Sequence, residues 1–174
     1  MSIHSKVNPV GIDKRLLQFQ TALNGLSWTN TEVYGRLYIT EKTINKDVIK
    51  IAESYSLSGE YVEVFIDDTK NAVFGFIVGD SKTNMHNIIT SDVKLICSCN
   101  ATALYDSIER KDEEILLLVL NEVYPLIPGN KEISIKTKLT DVFLEISTER
   151  LRFRDLQPWF NFSLSFELNY LNNN

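Results

Sequence analysis

Carboxylates supply most of the side chains in this sequence that could do chemistry. Asp67 and Asp68 are adjacent, Glu63 lies just before them, and folding could bring Glu145 close. Carboxylate oxygens bind Mg²⁺, and a bound Mg²⁺ can activate water for phosphodiester hydrolysis. The stretch 67–71, Asp-Asp-Thr-Lys-Asn, is also typical of a turn, because Asp and Asn side chains bond to the nearby backbone. The turn interpretation is favoured, and a metal-dependent nuclease is the alternative.

Histidine and cysteine add little further chemistry. We expect His4, in a polar N-terminal stretch, and His86, in a predicted loop, to be solvated. Cys97 and Cys99 lie two residues apart, so on a strand they share one face and cannot easily bridge each other. Two buried free thiols and a reducing cytoplasm are expected. The motifs GxGxxG, GxxxxGK[ST] and GxSxG do not occur in the sequence, and we assign no catalytic residue, metal or cofactor.

An aromatic and charged segment, 153–160 (FRDLQPWF), precedes the last predicted strand. Either Trp159 begins a core strand, with Arg154 and Asp155 paired locally, or Trp159 faces a partner. Trp28 poses the same choice between a lid on the core and an exposed contact. As candidate interface residues we take Asp67, Asp68, Lys70, Arg154, Asp155 and Trp159.

Length and composition indicate one globular domain. The 174 residues are 44% hydrophobic and 24% charged, close to the average for folded proteins. The net charge is −5 and basic residues are not clustered, so tight sequence-specific DNA binding is not expected. The longest apolar run, 115–120, is too short to cross a membrane. We expect the domain at 12–170, with a flexible arm at 1–11 and a flexible tail at 171–174.

Hydrophobic spacing predicts two helices. The first, at 12–25, has its apolar residues on one face: Ile12, Leu16, Phe19, Leu23 and Leu26. The second, at about 107–124, follows from a wide apolar stripe between Ile108 and Val123. Asp106 and Glu109 would form a capping box at its start.

Alternation of apolar and polar residues predicts the strands. The last strand is the clearest, with large apolar side chains at every second position: Phe160, Phe162, Leu164, Phe166, Leu168 and Tyr170. Further strands are predicted at 33–39, at 93–99, and at 133–139 continuing through a bend to 142–146. Residues 61–66 and 72–78 should pair as a hairpin around the 67–71 turn. The ambiguous segment 40–59 and the polar segment 79–90 are taken as insertions.

This order of elements predicts an α+β fold. Its parts are a mostly antiparallel sheet, one long helix packed on a face, a protruding β-hairpin and an N-terminal helix. The long helix and the last strand would form a rigid wedge. The hairpin, the insertions and the termini would then be free to contact neighbours.

Four short stretches carry a family resemblance. They are 33–38 (VYGRLY), 60–68 (EYVEVFIDD), 153–159 (FRDLQPW) and 162–168 (FSLSFEL). They resemble structural proteins of crAss-like and other Bacteroidetes phages, in the tail-terminator or head-to-tail connector class. The resemblance implies a small α+β subunit that stacks as a ring beneath the portal, and it implies no catalytic residues.

On this resemblance we expect a non-enzymatic virion protein of the neck or tail, assembled in the host cytoplasm. The expected partners are copies of itself in a ring, twelvefold rather than sixfold, together with the portal, adjacent neck or tail proteins, and passing genomic DNA without sequence-specific contact. No membrane partner is expected. A closed ring needs two different patches that fit one another, which strand edges and arms can supply. The alternatives are a metal-dependent nuclease and a monomeric binding module.

Overall fold

The chain folds as an α+β protein, which confirms the predicted fold class. The computed structural model describes residues 2–56, 58–84, 87–105, 109–129, 132–148, 151–152 and 158–171, and of Asp67 and Arg152 it describes the backbone alone. Within these ranges a mostly antiparallel sheet of eight strands is accompanied by a few helices.

The elements have the following bounds. The strands are β1 (Ser2–His4), β2 (Thr31–Ile44), β3 (Asp47–Tyr55), β4 (Tyr61–Glu63), β5 (Ile66–Asp67), β6 (Ala72–Thr83), β7 (Ile88–Asn100), β8 (Ser134–Lys136), β9 (Leu151–Arg152) and β10 (Trp159–Leu171). The helices are α1 (Ile12–Asn24), α2 (Ala101–Tyr105), α3 (Asp112–Val123) and α4 (Leu139–Val142), with a 3₁₀ turn at Tyr124–Leu126.

The large sheet has the strand order β4-β3-β2-β6-β7-β10-β8, and β1 pairs with β2 beside it. The β1–β2 and β2–β6 pairs are parallel, and the other pairs of this sheet are antiparallel. β5 and β9 form a separate parallel pair. β7 and β10 pair along their whole length, from Asn100 with Trp159 to Ile88 with Leu171.

The segment predicted as an insertion at 40–59 is instead part of a hairpin. β2 and β3 pair as far as Ile44 and Asp47, across a two-residue turn at Asn45 and Lys46. Both turn residues have positive φ, 53° and 75°, as the turns that match the twist of paired strands require. The turn lacks the glycine that usually marks it, which explains why the sequence left this segment ambiguous.

The prediction of a hairpin at 61–78 is wrong. β4 pairs with β3, β5 pairs with β9, and β6 lies between β2 and β7. The second hairpin is β6–β7, which pairs from Ala72 with Cys99 to Thr83 with Ile89. The polar segment taken as an insertion at 79–90 is therefore mostly strand within the described residues. Its polarity was misleading because residues 79–84 are exposed to solvent on both faces of the ribbon.

Helices α1 and α3 cover one face of the sheet, called here the helical face. Their buried residues are Ile12, Leu16, Phe19 and Leu23 in α1, and Ile115, Val119 and Val123 in α3. β10 contributes the predicted alternation to this core, through Phe160, Phe162, Leu164, Phe166 and Leu168. Phe19 stacks on Phe166 with the ring centroids 5.4 Å apart. Both the register of β10 and the position of the long helix on one face are confirmed.

The long helix begins later than predicted. α3 starts at Asp112, whereas Glu109 precedes it outside the helix. Asp106, the other half of the predicted capping box, lies outside the described residues. Three carboxylates fill the first turn of α3, at Asp112, Glu113 and Glu114. Negative charge at this position is favoured by the helix dipole, which accounts for the later start.

The opposite face of the sheet is covered by a segment predicted as a strand. Within the predicted strand 133–146, Ser134–Lys136 alone pairs as a strand, β8, and Leu139–Val142 forms the helical turn α4. Val142, Phe143 and Ile146 then pack beneath the sheet, against Leu37 and other residues of a second core. Phe143 and Ile146 follow Val142 by one and four residues, which is the spacing of a helical turn and not of a strand.

The N-terminal stretch lies against the domain. Ser2–His4 pairs with β2, and Lys6 Nζ donates to the Asp13 carboxylate at 2.6 Å. Gln20, fully buried in α1, donates to the carbonyls of His4 and Val33 at 2.9 and 3.0 Å. Residues 2–6 are thus packed, where a flexible arm was expected at 1–11. Of the tail expected at 171–174, the first residue ends β10 and the others lie outside the described residues.

Candidate interaction surfaces

The structure brings three of the candidate interface residues, Asp68, Lys70 and Trp159, to one end of the sheet. Trp159 begins β10 and its backbone pairs with Asn100 at the end of β7. The residue is 4% exposed, and the indole N–H donates to Asp68 Oδ1 at 2.9 Å. Trp159 therefore begins a core strand, one of the two interpretations left open, and offers little surface to a partner.

Lys70 belongs to a chain of polar contacts with Glu32 and His4. Lys70 Nζ donates to Glu32 Oε1 at 2.7 Å, and His4 Nε2 lies 2.5 Å from Glu32 Oε2. Burial acts to raise the pKa of Glu32, but the hydrogen bonds from Lys70 and His4 outweigh it, and the pKa is lowered. His4 also stacks on Tyr34, with the ring centroids 4.5 Å apart. The expectation that His4 is solvated is therefore wrong, and His86 lies outside the described residues.

Backbone and amide hydrogen bonds hold the 67–71 turn in place. Asn30 Nδ2 donates to the Thr69 carbonyl at 2.8 Å, and the Asn71 N–H donates to the Asn30 carbonyl at 2.9 Å. The Asn100 N–H donates to the Asn71 carbonyl at 2.8 Å. The turn is thus tied to the start of β2 and the end of β7. The candidate residues that lie outside the description are Arg154, Asp155 and the Asp67 side chain.

Asp68 and Glu145, two carboxylates of the alternative metal site, lie far apart. Asp68 lies at the Trp159 end of the sheet, where β7 finishes. Glu145 accepts from Lys94 Nζ at 2.7 Å, and Lys94 lies six residues before the end of β7, a distance of about 20 Å. Glu63 pairs with a lysine of β2 at 3.4 Å. Among the residues that the structure describes, no group of three or more His, Cys, Asp or Glu could hold a metal ion.

Trp28, Cys97 and Cys99 belong to the core on the helical face. Trp28 is 9% exposed and stacks on Phe74 at a centroid distance of 6.0 Å, so it is a lid on the core. Both cysteines are free and fully buried, which confirms the prediction of two buried free thiols. Burial raises the pKa of each thiol well above its ordinary value. Both thiols are therefore protonated and shielded from reagents.

Leu37 and Ile77 are the last residues that pair β2 with β6. Beyond them the sheet divides into two parts, the β2–β3 hairpin on one side and β6, β7 and β10 on the other. One part is the outer end of the β2–β3 hairpin, residues 38–53, called here the arm. At its base Glu53 also pairs with Glu63 of β4, and Lys50 and Ser147 exchange two hydrogen bonds.

β2 continues for about 20 Å past Leu37 to Ile44. Residues 41–43 and 45–48 of the arm are exposed, including Val48. The base of the arm is packed, since Ile49 and Ile51 are buried. A two-stranded ribbon is marginally stable in water, so a neighbouring surface would stabilise the exposed tip.

Helix α3 carries apolar residues on its outer side as well as its inner side. Leu117 is 55% exposed, Leu118 is 38% exposed, and Tyr124, just after the helix, is 49% exposed. These three residues are called here the α3 strip. Because a surface helix normally presents polar residues to solvent, an apolar outer strip is typical of an interaction site.

A groove with a volume of about 720 Å³ follows the outer edge of β10 and continues over the face opposite the helices. β8 covers this edge at Ser163–Ser165. In the described part of the chain, no strand pairs with residues 166–171 on that side. The groove walls include four carboxylates, Asp92, Glu132, Glu145 and Glu167.

No family model, curated protein or solved structure matches this chain. Among the helices that the structure describes, none is both long and apolar enough to cross a membrane. The exposed surfaces and the resemblance in the sequence are therefore the basis for a functional proposal.

Proposed function

We propose that this protein is a structural subunit of a phage neck or tail, which assembles into a ring that joins the portal to the tail and forms part of the DNA conduit. The observation that carries the proposal is the projecting arm. A closed ring of identical subunits needs a heterologous interface, in which two different patches meet. The arm and the α3 strip supply two different patches, and each exposes apolar area that contact with a neighbour would bury.

The charge of the chain supports the conduit part of this proposal. The sequence has 23 acidic and 18 basic residues. An acidic lumen repels the phosphate backbone, so DNA would pass without being held. Portal and adjacent neck or tail proteins are the partners above and below such a ring, and no catalytic residue is assigned.

Shortening the arm tests the proposal. Deleting residues 43–48 and closing the strands with Asn-Gly joins Lys42 and Ile49, which already face each other across the hairpin. We expect the wild-type chain to form rings in negative-stain images and sedimentation experiments, alone or with the portal and adjacent neck proteins. The shortened chain should stay a folded monomer.

Lys46→Gly is the matched control, because it changes the turn but keeps the full arm. This variant should assemble like the wild type. A wild-type chain that stays monomeric under all these conditions contradicts the ring. Mg²⁺-dependent DNA cleavage that disappears in Asp68→Ala would favour the nuclease instead.

A further inference from the structure

We infer that a small cavity between the N-terminal strand and helix α1 is a binding site for one water molecule. The water would hydrogen-bond to the side-chain oxygen of Gln20 and so connect β1, α1 and β2. The inference concerns the interior of the domain, and it holds whether or not the subunits close into a ring.

The cavity lies where strand pairing along one edge of β2 is interrupted. β1 pairs with this edge as far as Tyr34, and β3 pairs with it from Leu37 onward. Among the described strands, none is in register with Gly35 or Arg36 on this edge. The walls of the cavity come from the end of β1, from α1, from β2 and from the end of β3, and its volume is about 20 Å³. About 10–15 Å³ is enough for one water molecule.

Gln20 supplies the polar atom that most requires a ligand. The residue is fully buried, and its amide nitrogen donates to the carbonyls of His4 and Val33 at 2.9 and 3.0 Å. Carbonyl oxygens only accept, so the amide nitrogen must face them and Oε1 must point elsewhere. Gln20 Oε1 has no hydrogen-bond partner among the described residues. Because a buried acceptor without a partner is destabilising, a water molecule beside it would stabilise the fold.

Gly35 leaves the space beside Gln20 Oε1 open. A Cβ atom on Gly35 would lie 3.4 Å from Gln20 Oε1 and 3.2 Å from the His4 carbonyl oxygen, and Gly35 itself lines the cavity. Gly35 does not have a positive φ, so its backbone does not require glycine. What glycine provides at this position is therefore room next to two buried oxygens.

Two further polar atoms belong to residues that line the same cavity. His4 Nδ1 and Asp13 Oδ1 are buried and, within the described residues, have no hydrogen-bond partner. A buried water typically makes about three hydrogen bonds, whereas cavities that stay empty have apolar walls. Gln20 Oε1 accepts one hydrogen bond from the water, and these two atoms offer the additional partners that a buried water needs.

Neither an anion nor a cation suits this cavity. Gln20 Oε1 and Asp13 Oδ1 are acceptors, so they would repel an anion. Two cationic side chains, Lys6 and Arg36, also line the cavity and would repel a second cation. Lys6 Nζ already donates to the other oxygen of Asp13 at 2.6 Å, and the Arg36 guanidinium lies 4.9 Å from the centre of a tyrosine ring. A neutral ligand that both donates and accepts remains, and water is the one that fits the volume.

Water contacts in the full-length protein provide the test. A water that is held for longer than the protein takes to tumble gives nuclear Overhauser effects with the sign of a rigid proton pair. We expect such effects from water to the Gly35 α-protons, which do not exchange with solvent, and to the methyl groups of Leu16, which also lines the cavity. Oxygen-17 relaxation dispersion should count one long-lived water fewer in Gly35→Ala than in the wild type, because the added methyl group occupies the space beside Gln20 Oε1.

Gly79→Ala is the matched control, since its Cβ would meet only Asp92 at an ordinary distance and Gly79 lies outside this cavity. It should keep the number of long-lived waters unchanged. The measurement on the wild type stands on its own should Gly35→Ala fail to fold. Absence of a long-lived water at the Gly35 α-protons, or equal water counts in Gly35→Ala and the wild type, would overturn the inference. A signal at Gly35 that changes with sodium or ammonium concentration would also overturn it, in favour of a bound cation.

Discussion

Partly buried hydrogen bonds between side chains connect the strands at the end of the sheet near Trp159. Asp68 accepts from the Trp159 indole, and Glu32 contacts both Lys70 and His4. A buried donor that loses its acceptor costs about 1–3 kcal/mol. These contacts therefore connect β1, β2 and β10 with the 67–71 turn, and three of the residues proposed from the sequence as an interface, Asp68, Lys70 and Trp159, have a structural role here.

Glu32 should make the stability of the fold depend on pH in the acid range. Its pKa is lower in the folded chain than the ordinary 4.5. Ionised Glu32 therefore stabilises the fold above that ordinary value, and this stabilisation is lost as the pH falls through the folded pKa. In Lys70→Met one donor is removed, so the pKa of Glu32 rises and the loss on acidification becomes smaller. Urea unfolding midpoints between about pH 7 and pH 3 measure the difference.

Lys82→Met serves as the control for this comparison, because Lys82 is exposed near the end of β6. It removes the same charge without touching Glu32. We expect its acid dependence to match that of the wild type. If Lys70→Met and Lys82→Met have the same dependence, Lys70 does not lower the pKa of Glu32.

The elements differ in how far the sequence predicts them. The hydrophobic periodicity was strong enough to predict α1 and β10. In β10 a slip of one residue would expose a whole row of large apolar side chains. The turn at Asn45 and Lys46 was missed because lysine rarely adopts positive φ. The pairing of β6 was missed because an apolar strand does not specify its neighbour. Its parallel partner β2 could not be inferred from local hairpin signals.

The candidate site was predictable to a similar extent. Turn chemistry correctly placed Asp68 and Lys70 in a turn. Alternation predicted the last strand from Phe160 onward, but it left open whether Trp159 begins that strand or faces a partner. Their partners could not be predicted. Glu32 lies 38 residues from Lys70 and 28 residues from His4 in the chain, and strand pairing alone brings them together.

Gly75 is required where β6 passes Leu37 of β2. A Cβ atom at Gly75 would lie 2.6 Å from Leu37 Cδ1 and 2.9 Å from Leu37 Cγ. Gly75→Ala should therefore lower the free energy of unfolding by about 1–3 kcal/mol. Urea denaturation provides the measurement, and in a Leu37→Ala background the same change should cost much less.

Gly79→Ala, also in β6, is the matched control. Its Cβ would meet Asp92 Cβ at 3.4 Å, an ordinary contact. We expect a change within about 0.5 kcal/mol. An equal cost for Gly75→Ala in the wild-type and Leu37→Ala backgrounds would show that the contact with Leu37 is not the cause.

Viewed as a whole, the molecule is a sheet with a core on each face. The helical face holds the larger core, and α4 with the following turn closes the smaller one. Cys97 and Cys99 lie inside the larger core, on a strand paired on both sides by β6 and β10. A reagent can reach them only when helices and strands separate together.

The two thiols should therefore report global unfolding. We expect a thiol reagent to modify Cys97 and Cys99 in the native protein at least about a thousandfold more slowly than in urea, as a protected core requires. Thr43→Cys in the exposed arm is the control, and its thiol should react at once. Rapid modification of the native wild-type protein would mean that the helical face opens locally.

The pairing of β7 with β10 also has a consequence for folding kinetics. Its partners lie about 60 to 80 residues apart in the chain, whereas β2 and β3 meet across two residues. A local hairpin such as β2–β3 forms in about 1–10 μs, but sheets of high contact order fold in milliseconds to seconds. We expect the arm to form as a fluctuating ribbon before the chain reaches the folding transition state. The pairing of β10 with β7 should then limit the folding rate.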